Sequence, residues 1–193
     1  MIKVVKLLKC SMITRTICES VRQMIKRLHV IFAFPKAYID WKTKYVYNFV
    51  EDIFIANGVR INSGTVITAI NTTKTPKHLV KIGANTYIGE NNILRGGAGI
   101  SIGEGCLISN NVVIISENHS FKLGIPMASQ ASNHRECGVI ICDDVWIGAN
   151  SVILPHVTLG KGCVIGAGSI VTKSIPENAI AFGNPAKVVK YRE

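Results

Sequence analysis

The chain lacks any run of about 18 apolar residues, the length a helix needs to cross a bilayer, although 48% of its 193 residues are hydrophobic. That apolar content must be spent on a folded core. No clean h-region or cleavage site follows the basic start, so secretion is not expected and a cytoplasmic protein is. The six cysteines, Cys10, Cys18, Cys106, Cys137, Cys142 and Cys163, form no CxxC and no paired framework. They read as small buried apolar residues of a reducing compartment, with Cys137 and Cys142 nearest to a long insertion described below. Positive charge is plentiful, yet neither a recognition motif nor an aromatic platform accompanies it, which argues against nucleic-acid binding.

What is present is a period of six. Ile141, Ile147, Ile153, Leu159, Ile165 and Val171 are each aliphatic, and the same step runs through Ile55/Ile61/Ile67, Ile82/Ile88/Leu94 and Ile102/Ile108/Ile114. Neither an α-helix nor an ordinary strand has this period; a solenoid of very short parallel strands does. Each hexad supplies one inward aliphatic on a two- or three-residue strand, then a turn often opened by Gly, Asn or Asp, as in IGANTY, IGEGCL and IGAGSI. Three such faces close a triangular coil, and coils stacked about 4.8 Å apart align the aliphatics into ladders. The fourth residue after an inward position is usually small or β-branched (Thr86, Cys106, Val112, Ser151, Val157, Cys163, Ser169), as a second, narrower layer requires. The expectation is an all-β parallel β-helix of about five or more coils over residues 55–190, behind a partly helical basic segment at 1–54.

The step is broken three times, each time after a third hexad: between Ile67 and Ile82, Leu94 and Ile102, and Ile114 and Ile141. The insertions should therefore leave one corner of the prism at successive heights, and long structureless excursions from a stiff scaffold are common sites of function. The longest spans residues 116–138.

Charge is concentrated at the start. Residues 1–44 hold ten Lys and Arg against Glu19 and Asp40, which leaves the remainder nearly balanced in a chain of net charge +10. Ile17, Val21, Met24, Ile25, Leu28 and Ile31 recur at helical spacing, with Arg15, Glu19, Arg22, Lys26 and Arg27 on the other face. Such a helix can lie on an anionic membrane through residues 1–34; the expected arrangement is instead that its apolar face packs on the solenoid or a neighbouring subunit and its charges are solvated.

Chemistry is sought in Asn118-His119-Ser120-Phe121, at the root of the longest insertion. An imidazole of ordinary pKa near 6.5 is mostly a free base at neutral pH, able to take a proton from a hydroxyl. His134 lies further out and reads as a substrate contact or a surface residue, Glu117 as an orienting group or a solvated carboxylate. His78 and His156 read as structural or solvent-facing.

The run from Val145 to Lys190, with NHSF and IPM upstream, resembles the hexapeptide-repeat acyltransferases, and within them the sugar O-acetyltransferase branch that includes galactoside, maltose, O-antigen and capsule acetyltransferases. The resemblance covers residues 82–191. It implies a left-handed coil, a homotrimer with acetyl-CoA sites between neighbouring prisms, and His119 as general base for a saccharide hydroxyl. Trp146, Ala149 and Ala167 match positions around the acceptor and pantetheine; Thr172, Lys173, Lys187 and Lys190 match positions near the nucleotide end of CoA, and Asn91 one that contacts acceptor. No metal is expected, because a γ-type carbonic anhydrase on this scaffold needs three histidines around zinc. The basic start differs from the acidic helical start of the galactoside and maltose enzymes, which favours a surface-polysaccharide unit or its precursor as acceptor. The alternatives are an N-acetyltransferase acting on an amino sugar, a serine O-acetyltransferase and a non-catalytic repeat scaffold.

Overall fold

All 15 ladder positions point into one continuous core, none of them more than 3% exposed. The computed structural model describes residues 2–70, 79–133 and 138–193, with side chains from residue 16 onward apart from 132 and 133. Three parallel sheets form the walls of a prism. The first face carries Tyr38–Ile39, Arg60–Ile61, Tyr87–Ile88, Leu107–Ile108, Trp146–Ile147, Val164–Ile165 and Ala179–Gly183. The second carries Lys44–Tyr47, Val66–Ala69, Ile93–Arg95, Val113–Ile115, Val152–Ile153 and Ile170–Val171, and the third Ile53–Ile55, Val80–Ile82, Ile100–Ile102, Val139–Ile141 and Thr158–Leu159. Register is strict: Ile88 pairs with Ile108, Ile108 with Ile147 and Ile147 with Ile165. Burying each Ile contributes about 1.5–3 kcal/mol. The coils wind left-handed, against the usual hand of strand crossovers; each link here is a corner turn.

The narrower inner layer also satisfies backbone groups. The Thr86 hydroxyl donates to the Gly103 carbonyl (2.8 Å) and accepts from the Cys106 amide (3.1 Å). Asn92, fully buried, donates to the Gly89 carbonyl (2.9 Å) and accepts from the Val112 amide (2.7 Å). Corners need backbone in the left-handed region, which Asn tolerates better than most residues. Asn91 has φ 56°, and its side-chain oxygen fills the space that a Cβ on Gly64 of the coil below would take.

The prism begins earlier than the aliphatic step indicates. Tyr38–Ile39, Lys44–Tyr47 and Ile53–Ile55 pair in register with the next coil, so a complete coil is built from residues 38–55. It escapes the pattern because Tyr45 takes the ladder position opposite Ile67. Burial raises the Tyr45 phenol above its ordinary pKa. Beneath this coil lies helix α1, Ile2–Ala33. Its contacts reverse the expected orientation. The Lys26 ammonium donates to the Tyr47 carbonyl (3.2 Å), the Arg27 guanidinium to the Thr43 carbonyl (2.9 Å), and Val30 is fully buried, while the apolar stripe Ile17, Val21, Met24, Ile25, Leu28 and Ile31 is exposed. The first coil offers unpaired carbonyls at its open edge, which cations satisfy and aliphatics cannot. At the other end, Ala179–Gly183 extends the first face and Ala186–Tyr191, at the end of the GNPAK segment, folds back on it antiparallel.

Candidate functional site

Each interruption follows a second-face strand (Val66–Ala69, Ile93–Arg95, Val113–Ile115) and precedes a third-face one (Val80–Ile82, Ile100–Ile102, Val139–Ile141), so the chain leaves and rejoins the prism at one corner each time. The longest is not structureless. Asn118–His119 pairs antiparallel with Ser132–Asn133, and Met127–Ser129 forms a single turn of 3₁₀-helix. Gln130, nearly buried, knits the loop: its amide accepts from the Lys122 amide (2.7 Å) and donates to the carbonyls of Lys122 (3.1 Å) and Ile125 (2.9 Å). His119 is exposed on this small ribbon, next to Ser120, whose amide donates to the Ala131 carbonyl (3.1 Å). The outer part of the loop is apolar, with Phe121, Leu123 and Met127 all exposed.

The root of the ribbon is fixed to the coil below. Ser116 donates to the Arg95 carbonyl (2.9 Å) and accepts from the Ala98 amide (3.1 Å). Glu117, 13% exposed in its side chain, pairs with the Arg95 guanidinium (3.0 Å) and lies where a Cβ on Gly97 would be. This anchors the strand two residues before His119. Neither Arg95 nor Gln130 was singled out by sequence reasoning; an outward Arg after Leu94 and a glutamine in an irregular loop carry no pattern.

The remaining candidates sit elsewhere. Ala149 and Ala167 occupy the corner between the first and second faces, stacked so that the Gly168 amide donates to the Ala149 carbonyl (2.8 Å). Gly148 lies so close to the Ala167 backbone that a Cβ there would come within 2.5 Å of its nitrogen. The corner presents backbone and the small side chains of Ala149 and Ala167, with Asn150 exposed beside them. Asn91 belongs to the same edge, two coils lower. Trp146, 51% exposed, covers the outside of the first face, its indole N–H donating to the Ser109 hydroxyl (3.4 Å). Thr172 and Lys173 follow the last second-face strand, on the His119 corner, whereas Lys187 and Lys190 are exposed on the terminal hairpin. His156, with φ 67°, is held at its backbone by the Gly138 carbonyl (3.2 Å). His78, His134 and Cys137 lie outside the described residues. Burial pushes the Cys163 thiol up to about 12 and raises Cys106 too, so neither is a ready nucleophile. Among the described residues no cluster of His, Cys, Asp and Glu could hold a metal ion.

One chain thus places Glu117 and His119, and two coils away Thr172 and Lys173, along one corner, and Asn91, Ala149 and Ala167 along another. The two corners are opposite edges of the second face.

Residues 138–173 match the family described as bacterial transferase hexapeptide (six repeats), and residues 79–116 match the hexapeptide repeat of succinyl-transferase. The chain is 40% identical over 97 residues to the putative lipopolysaccharide biosynthesis O-acetyl transferase WbbJ of Escherichia coli, covering 47% of this chain and 50% of that protein. It is 37% identical over 114 residues to the galactoside O-acetyltransferase of the same organism, covering 58% and 53%. The chain spans about half the length of these curated relatives. Among solved structures, the N-acyltransferase AntD from Bacillus cereus, in complex with dTDP and 3-hydroxybutyryl-CoA, superposes with a TM-score of 0.68 at 27% identity, covering 82% of this chain and 81% of that one.

Proposed function

On the premise that this chain is a hexapeptide-repeat protein related to the sugar O-acetyltransferases, we propose that it transfers an acetyl group from acetyl-CoA to a hydroxyl of a saccharide. The acceptor we favour is a surface-polysaccharide unit or its precursor, in keeping with the name of the lipopolysaccharide relative. The observation that carries this reading is the separation of the candidate residues onto two corners. In a homotrimer, the His119 corner of one prism meets the Ala149–Ala167 corner of the next, and a site incomplete in one chain is completed between two.

In that site His119 accepts the proton of the acceptor hydroxyl as its oxygen attacks the thioester carbonyl. The new C–O bond forms, the C–S bond breaks, and the proton passes on to the departing thiolate. No acyl-enzyme is needed. Base catalysis of this kind contributes about 10²–10⁴-fold, and holding both substrates in line supplies much of the rest. The smooth corner at Ala149 and Ala167 suits a pantetheine arm, whose amides can bond exposed backbone groups there. Lys173, Lys187 and Lys190 would neutralise the nucleotide phosphates, and Trp146 would border the acceptor.

A second reading, N-acylation of an amino sugar, rests on the likeness to the N-acyltransferase AntD, which is also solved in complex with dTDP-4-amino-4,6-dideoxyglucose. Incubation with labelled acetyl-CoA and a panel of saccharides, including nucleotide-linked amino sugars, separates the two by mass spectrometry. Label in an ester cleaved by alkaline hydroxylamine supports O-transfer. Label in a resistant amide refutes it, and no label in any saccharide refutes both.

A further inference from the structure

We propose that helix α1 is a membrane-surface anchor, docking its outward face on an anionic bilayer. Among the described side chains, the helix is joined to the prism through Gln23, Lys26, Arg27 and Val30. At 3.6 residues per turn, Ile17, Val21, Met24, Ile25, Leu28 and Phe32 fall within an arc of about 100° on the opposite side. These side chains are 44–78% exposed. A helix that served only to cap the prism would bury this stripe; here cations and one valine make the contact and the stripe stays exposed, Ile17, Val21 and Ile25 bordering an open groove with Tyr47 and Asn48.

Charge selects the occupant. Residues 1–44 carry ten basic against two acidic side chains, and exposed Lys36, Lys42 and Lys44 lie at the same end of the prism as the helix. Laying this face on its equivalent in a second copy would bring two such arrays together, which repulsion opposes. An anionic lipid surface accepts both parts at once: the apolar stripe enters the headgroup boundary and the flanking lysines and arginines meet lipid phosphates. The exposed Trp41 ring, with the Arg27 guanidinium 5.0 Å from its centroid, lies beside the helix as an interfacial aromatic does. No described helix is long and apolar enough to cross a membrane, so α1 would lie in the plane of the surface.

The full chain is sedimented with vesicles of phosphatidylcholine alone and with about one third phosphatidylglycerol, a readout that needs no acetyl transfer and so stands apart from the proposed reaction. Binding should be at least about tenfold tighter to the anionic vesicles, and Val21→Asp/Ile25→Asp should abolish it. Both positions are exposed, so the variant should keep the wild-type melting temperature. Wild-type protein remaining in the supernatant with both vesicles, or a folded double variant that still binds, overturns the proposal. Failure of wild type to bind, together with a fall in mass by light scattering in the double variant, overturns it in favour of a second copy of the chain.

Discussion

Gly97→Ala places one methyl group where the structure has no room for it. On one side the added Cβ meets the Glu117 carboxylate, and on the other it comes within 3.2 Å of the Ile70 carbonyl oxygen. Backbone cannot yield easily in a stacked coil, so the carboxylate must leave, and the Arg95–Glu117 pair goes with it. Overpacking of this kind costs about 1–3 kcal/mol, and a pair whose arginine is half exposed adds only about 0.2–1 kcal/mol. A loss of about 2 kcal/mol lowers the Tm of a chain this size by about 4–8 °C, measurable by calorimetry. Because Glu117 anchors the strand that carries His119, kcat should fall more steeply than stability suggests, by up to about 10²-fold for a displacement near 1 Å. Removing the carboxylate as well, in Gly97→Ala/Glu117→Ala, opens the space for the methyl and should recover part of the lost Tm but not the rate. A Gly97→Ala variant that melts with wild type, or a double variant no more stable than the single one, would show that the Glu117 carboxylate does not fill this space.

Ile153→Asp should yield no soluble folded protein, since Ile153 is fully buried in the ladder and a lone carboxylate there has no partner; a folded variant by circular dichroism would discredit the register. The contribution of Cys163 to stability should be full below pH 9 and be lost as pH rises toward 12, because the folded thiol keeps its proton where the unfolded thiol, near 9.0, releases it. Urea midpoints across that range should fall less steeply in Cys163→Ala, and an equal slope would remove the thiol as a cause. If the site forms between prisms, His119→Ala and Ala167→Trp chains, each inactive, should regain about one quarter of wild-type activity when refolded together, whereas a site within one chain predicts no recovery.

The fold was legible because a solenoid writes its geometry into spacing: one inward residue per six fixes the faces, and a loss of phase fixes the corner from which the loops leave. The first coil was not, since Tyr45 and Tyr47 replace aliphatics there and the step to Ile55 is longer than six. The orientation of α1 was misjudged for a physical reason. Apolar spacing tells which residues share a side of a helix, but not which side the neighbouring surface wants, and the first coil presents carbonyls that attract Lys26 and Arg27. At the site, His119 stood out by its place at the root of the insertion. Arg95, Gly97 and Gln130 did not, because their roles arise from contacts across residues distant in sequence.

The proposed transfer depends on the imidazole of His119. The direct measurement is kcat/KM for acetyl transfer by His119→Ala, with CoA affinity and Tm determined on the same preparation. A fall of about 10²–10⁴-fold at unchanged CoA affinity and stability is predicted; retention of more than about a tenth of the wild-type rate would contradict it.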